Sequence, residues 1–261
     1  MENKEKYKPI GFIESLQKSS NKDNILFMET YFFLINLIQN ASEDVKIEAV
    51  KQCGETIKCI HKPSVAVQLE AVKQCGELIR YIHNPSYDVQ LEAVRQAGYY
   101  IKYIPDPSKT VQLEAVKKYG GSIQYINNPS EHVQLEAVKK DGESIQYINN
   151  PSETLKLEAV KANGYAIKYI PNPSETIKLE AIKSDPYAIE YISNPSQALQ
   201  LEAVKIDKDS IRYIEKPSKK VINYLYNKDK DVFYEVFNAE EILDHIYKNN
   251  LDLLYNYFEK K

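Results

Sequence analysis

Apolar and polar positions recur along the chain with a period of 22 residues. In the unit that opens at Pro129 the large aliphatic residues are Val133, Leu135, Val138, Ile145 and Ile148, and the same phrase restarts at Pro151 with no insertion. Units begin at Ala41, Pro63, Pro85, Pro107, Pro129, Pro151, Pro173 and Pro195, and a degenerate ninth begins at Pro217. A fixed period of this length marks a stacked repeat array. The few aliphatics of one unit cannot offset the entropy of ordering its own backbone, so units must stack to fold.

The first half of each unit predicts an α-helix. With Val133 at 0° and about 100° per residue, Ala137 falls near 40°, Val138 near 140° and Leu135 near 200°. Glu136, Lys139 and Lys140 fill the remaining arc and are expected to face solvent. Most units open Asn/Asp-Pro-Ser. That predicts a capping Asn or Asp before a proline at the first helical position, with the serine of position two as the alternative cap. Gly at position fourteen in six of the eight full units is the expected C-terminal stop. Pro186 and Lys208 replace it, and proline cannot take a positive φ, so unit seven is expected to turn differently. The second half, Gly-x-x-Ile-x-Tyr-Ile, has room for about one and a half turns, because Pro105 and Pro171 push Ile104 and Ile170 out of helical geometry. A 3₁₀ turn fits. Val133, Leu135 and Ala137 also alternate as a strand would, as in leucine-rich repeats. The helix-favouring Glu-Ala-Val-Lys core, the caps and the missing Leu-x-x-Leu-x-Leu frame speak for the helix.

The frame Asn-Pro-Ser-x-x-Val-Gln-Leu-x-Ala-Val-x-x-x-Gly resembles HEAT-type repeats. It resembles more closely the leucine-rich variant repeats, which pair an α-helix with a 3₁₀ turn. It is also similar to short α-solenoid repeats in uncharacterised proteins of bacteria, phages and large DNA viruses. The resemblance spans residues 41–238, and its 22-residue period is shorter than the usual unit of either named family. It implies an all-α, right-handed α-solenoid of about eight units. The expected organisation is a flexible segment at 1–22, an N-terminal capping helix at 23–40, eight repeats at 41–216 and a degenerate repeat with a helical cap at 217–261. Within that cap, 239–248 and 251–260 read as amphipathic helices.

Thirty-four Lys and Arg against thirty-seven Asp and Glu leave a net charge of −3 and a pI near 5.9. That balance disfavours a basic nucleic-acid binder. The opening Met-Glu-Asn-Lys-Glu-Lys has no apolar leader, and the run from Ile25 to Ile38 is too short to span a bilayer. A cytoplasmic protein with no membrane partner is expected. Cys53, Cys59 and Cys75 are few and odd in number, which suits a reducing compartment. His61 and His83 beside those thiols match no zinc spacing. No metal, cofactor or catalytic residue is expected, since the chain also lacks a phosphate loop and a Gly-x-Ser-x-Gly turn.

Three sets of positions stand out as candidates. Position six (Gln68, Gln90, Gln112, Gln134 and Gln200, with Lys46, Lys156 and Lys178) lies inside the apolar arc and is expected to form a ladder to neighbouring units. Position nineteen is Tyr81, Tyr103, Tyr125, Tyr147, Tyr169, Tyr191 and Tyr213, with Arg80, Lys102 and Lys168 among the residues before them. Positions twelve, thirteen, fifteen and sixteen vary most, and Tyr99, Tyr100, Tyr119, Tyr165 and Tyr187 fall there. A tyrosine has an apolar body and a polar tip, so this row is either half-buried packing or an aromatic contact stripe. The expected function is a non-enzymatic scaffold or inhibitor that binds a protein along one face, as a phage- or virus-encoded protein directed at a host protein would. The alternative is single-stranded nucleic-acid binding, with bases stacked on the tyrosines beside Arg80, Lys102 and Lys168.

Overall fold

The structure, a computed structural model, describes residues 36–238. Among them, residues 36–40 are helical and no strand occurs. Nine ten-residue α-helices follow: α1 (Glu43–Gln52), α2 (Val65–Gln74), α3 (Tyr87–Gln96), α4 (Lys109–Lys118), α5 (Glu131–Lys140), α6 (Glu153–Ala162), α7 (Glu175–Ser184), α8 (Gln197–Ile206) and α9 (Lys219–Lys228). Six-residue 3₁₀ helices follow the first eight: η1 (Gly54–Cys59), η2 (Gly76–Tyr81), η3 (Gly98–Tyr103), η4 (Gly120–Tyr125), η5 (Gly142–Tyr147), η6 (Gly164–Tyr169), η7 (Pro186–Tyr191) and η8 (Lys208–Tyr213). In the ninth module the second piece is a seven-residue α-helix, α10 (Lys230–Val236). The described residues form two compact units, 36–96 with 103–106, and 97–102 with 107–238.

Within each unit the modules pack largely in sequence, helix on helix and 3₁₀ on 3₁₀, and α2, α3 and α5 to α8 also rest on the 3₁₀ helix before them. The fold is therefore an all-α tandem stack, an α-solenoid. Of the residues expected outside it, 1–35 and 239–261 lie outside the described part of the chain. The segment expected to be flexible, most of the expected N-terminal capping helix and the two expected C-terminal helices fall in those stretches.

The core follows the helical arc. Positions five, nine and ten bury Val133, Ala137 and Val138 completely in α5, and Ile145 and Ile148 close the module from η5. Leu135, at the edge of the arc, is only half-buried, and so is Glu136 across from it. The glutamate row is thus not a fully solvated face, except at Glu48. It still pairs one helical turn on, as in Glu158–Lys161 at 2.9 Å and Glu180–Lys183 at 2.7 Å.

Four local expectations are corrected. The N-cap is serine, not Asn or Asp: the hydroxyls of Ser64, Ser108, Ser152, Ser174 and Ser196 accept from the backbone N–H three residues on. Proline precedes that cap. The Asn or Asp before it takes the left-handed conformation, with φ between 46° and 51° at Asn84, Asp106, Asn128, Asn150, Asn172 and Asn194 and 50° at Lys62. A short polar side chain tolerates that conformation best after glycine.

The glycine of position fourteen, in turn, has no positive φ. It opens the 3₁₀ helix, and it is glycine because the next module comes too close for a side chain. A Cβ on Gly98, Gly120, Gly142 or Gly164 would lie 2.1, 2.6, 2.3 and 2.5 Å from the carbonyl oxygen of Ala115, Ala137, Ala159 and Ala181, respectively. Unit seven does not turn differently. Pro186 occupies the first turn of η7, where no intrahelical partner is needed for its missing N–H, and the preceding Asp185 is extended like its equivalents.

The glutamine row is not chiefly an inter-module ladder. Gln68, Gln90, Gln112 and Gln134 each donate to the carbonyl of the proline five residues earlier in the same module, at 2.8–2.9 Å. Gln200 also reaches the next module, accepting from the Ser218 N–H at 2.8 Å. Where the position is lysine, Lys156 and Lys178 pair instead with Glu153 and Glu175, both at 2.7 Å. Position twelve supplies inter-module hydrogen bonds to the backbone: Gln96 donates to the Val72 carbonyl and accepts from the Gly76 N–H, both at 2.7 Å.

Candidate interaction face

The 3₁₀ helices set the geometry of the candidate site. Three residues per turn put positions fifteen and eighteen on one edge. Position seventeen (Ile57 through Ile211) and position twenty (Ile60 through Ile214) point into the core. At the end of η2 to η8 the outward residues are position eighteen and the tyrosine of position nineteen; η1 ends in Cys59 instead. Tyr81, Tyr125, Tyr147, Tyr191 and Tyr213 are 40–43% exposed. Tyr103 and Tyr169 are half-buried.

Five of the tyrosines meet position fifteen or eighteen of the module before them. Lys58 lies 4.3 Å from the Tyr81 ring centroid, and Arg80 lies 5.0 Å from Tyr81 and 5.6 Å from Tyr103. Tyr165 packs edge-on against Tyr191 at 5.8 Å, and Tyr187 against Tyr213 at 5.4 Å. At the equivalent place Glu143 accepts from Tyr169 Oη at 3.3 Å and from Lys168 Nζ at 3.2 Å. Lys168 also sits 4.8 Å from the Tyr169 ring. Burial works to lower the Lys168 pKa, but the Glu143 and Tyr169 hydrogen bonds outweigh it and the net shift is upward. Gly121 holds position fifteen before Tyr147 and offers no side chain there.

The basic residues of the row are partnered by carboxylates. Lys58 pairs with Glu55, Arg80 with Glu77 at 3.0 Å, Lys168 with Glu143, and Arg212 with Asp209 at 3.3 Å and Glu235 at 2.9 Å. The Glu77 hydrogen bond holds the Arg80 guanidinium above its ordinary pKa. Lys102 lies 5.6 Å from the Tyr99 ring.

The variable positions divide. Tyr99 and Tyr119 are exposed, and Tyr99 meets the half-buried Tyr100 at 4.7 Å. Tyr165 and Tyr187 are half-buried. Partial burial, with Asp185 alongside, raises the Tyr165 pKa. Tyr187 donates to Asp207 at 2.8 Å, and that bond, with desolvation and the carboxylate charge, pushes its pKa up to about 12. Position sixteen does not belong to a variable surface. Ser122, Ser144, Ala166, Ala188 and Ser210 are all 0% exposed there.

Position thirteen hides a role the sequence reading missed. Asp141, Asn163, Asp185 and Asp207 are extended and cap the following 3₁₀ helix, each side chain accepting from the N–H two residues on. An Asp or Asn in the same slot of four successive units was the available signal.

Cys53, Cys59 and Cys75 are free thiols. Among the described residues no group of three His, Cys, Asp or Glu side chains is arranged to hold a metal ion, and no helix is long and apolar enough to cross a membrane. Comparison with known proteins finds similarity over residues 153–195, which run from α6 through η7, to the family described as Domain of unknown function (DUF4116). No curated protein and no solved structure matches the chain.

Proposed function

We propose that this chain is a non-enzymatic cytoplasmic scaffold or inhibitor that binds another protein through the tyrosine face carried by each unit. The observation that carries the reading is the row itself: five tyrosines, 40–43% exposed, each set by a 3₁₀ helix on a repeating frame. Tyrosine supplies large contact area at low entropic cost, and it is enriched where protein interfaces concentrate their energy. Intramolecular carboxylates already neutralise Lys58, Arg80, Lys168 and Arg212, which leaves little free positive charge for phosphates. A protein partner therefore fits better than a nucleic acid.

The test is affinity capture from source-cell lysate with and without nuclease, repeated with Tyr125, Tyr147, Tyr191 and Tyr213 changed to alanine. A stoichiometric protein that survives nuclease and is lost from the alanine variant is the expected result. Recovery of nucleic acid alone, released by raised salt, overturns the reading. So does a protein partner indifferent to the tyrosines.

A further inference from the structure

The cleft between the ends of η7 and η8 departs from the rest of the row. It has a volume of about 670 Å³ and is bordered by Tyr191, Tyr213, Glu190, Glu215, Asn194 and Lys216. That size suits a bound segment rather than a single water. The two tyrosines are 42% and 43% exposed, and their rings are steadied from the inner side by Tyr165 and Tyr187. Elsewhere position eighteen is Lys, Arg or Gln, but here it is Glu190. Glu190 and Glu215 are exposed and make no ion pair among the described residues, whereas Arg212 nearby is already paired to Asp209 and Glu235.

We infer that this cleft binds a proline-containing protein segment in the polyproline II conformation that carries arginine or lysine. The inference rests on the protein-binding reading above and names the partner's chemistry at one place on the row. Extended prolyl segments dock in grooves lined by aromatic rings because they are pre-ordered and need no partner for absent N–H groups. One polyproline II turn advances about 9 Å, from three residues at about 3.1 Å each. Packed helical elements repeat at about 8–10 Å. Successive turns of such a segment therefore meet Tyr191 and then Tyr213. The tyrosine hydroxyls and the Asn194 amide can donate to its exposed carbonyls. The two free carboxylates, opposed only by Lys216, select a basic segment over an acidic one.

The experiment titrates fluorescent peptides of Pro-Pro-Arg, Gly-Gly-Arg and Pro-Pro-Glu repeats into the full chain. Pro-Pro-Arg should bind at least about tenfold more tightly than either control. Tyr191→Ala and Tyr213→Ala should each weaken it about tenfold or more, and Glu190→Lys should weaken it severalfold and flatten its salt dependence. Tyr87→Ala, an exposed tyrosine in the first turn of α3 and outside the row, should leave it unchanged. Circular dichroism and melting check that each variant is folded, and Tyr191→Phe, which keeps the ring, should retain most of the affinity. Equal binding of Pro-Pro-Arg and Gly-Gly-Arg overturns the inference, as does loss of affinity in Tyr87→Ala equal to that in Tyr191→Ala. If the peptides fail while a cellular partner is still lost from the four-tyrosine variant, this inference falls and the broader reading stands. If that partner too is indifferent to the tyrosines, both fall.

Discussion

Gly142→Ala tests the packing rule of the array. Alanine at this position gains nothing from strain relief, because the glycine has no positive φ. Its Cβ would lie 2.3 Å from the Ala159 carbonyl oxygen, 3.0 Å from Asn163 Cβ and 3.1 Å from Asn163 N. Carbon and oxygen in close non-bonded contact settle at roughly 3.3 Å, so α6 would have to withdraw by about 1 Å. All three atoms belong to the neighbouring module's backbone or its first side-chain carbon, and none can swing away. Overpacking of this kind costs about 1–3 kcal/mol. The lower entropy of the unfolded alanine chain returns about 0.4–1 kcal/mol. The net loss centres on about 1.3 kcal/mol, or a melting temperature lower by roughly 3–5 °C for a chain of this size. Because repeat stability is a sum of module and interface terms, the damage should be local.

Hydrogen exchange followed by mass spectrometry reads that locality. Amides of η5 and α6 should exchange faster, while those of α1 and α2 stay unchanged. Gly121→Ala is the control. The three atoms nearest its Cβ would all belong to the outer ring of Tyr119, at 2.8–2.9 Å, and that exposed ring can move, so the change should stay within about 0.5 kcal/mol. If Gly142→Ala matches Gly121→Ala in melting and exchange, the close approach of module backbones is not what fixes glycine at position fourteen.

Three further outcomes are expected. Ser174→Ala removes the hydroxyl that accepts from the Ile177 N–H and should lower stability by about 1 kcal/mol in denaturant unfolding. Lys62→Asn replaces the one lysine held at φ 50° by the residue its equivalents use, and should raise the melting temperature. Tyr187 has a folded-state pKa raised to about 12 from an ordinary 10.0, so its contribution is complete below pH 10 and is lost as pH rises through about 12. Asp207→Asn keeps the cap that Asn163 makes in η6 and removes the charge, so tyrosinate absorbance should show Tyr187 ionising nearer its ordinary range.

The sequence reading recovered what periodicity controls. An α-helix in the first half of each unit, the 3₁₀ piece and the buried Val133, Ala137, Val138, Ile145 and Ile148 are consequences of which residues must leave water, and burial is written in residue type. It missed what depends on atoms from a neighbouring module. Gly142 read as a helix stop because a stop and a close approach both demand the missing Cβ, and only the position of the Ala159 carbonyl tells them apart. Asn150 read as a cap for a similar reason: the short polar side chain that caps a helix is also the one that tolerates a left-handed backbone. The tyrosine row was legible as a row, but its bracing by Glu143, Tyr165 and Tyr187 follows from how position fifteen of one module meets position nineteen of the next.

That meeting also bears on where specificity is built. Position nineteen is tyrosine in seven successive units, so the outermost contact surface hardly varies along the array. Position fifteen, which steadies it, runs through Glu77, Tyr99, Gly121, Glu143, Tyr165, Tyr187 and Asp209. A carboxylate there holds a tyrosine hydroxyl and a lysine together, an aromatic ring holds a tyrosine edge-on, and glycine leaves it bare. The same exposed ring is thereby given a different neighbour, a different free hydroxyl and a different local charge at each step. Modules seven and eight carry this furthest, with both tyrosines braced by aromatic rings and the adjacent basic residue replaced by Glu190. A partner that reads this stretch would be chosen less by the tyrosines than by what stands behind and beside them.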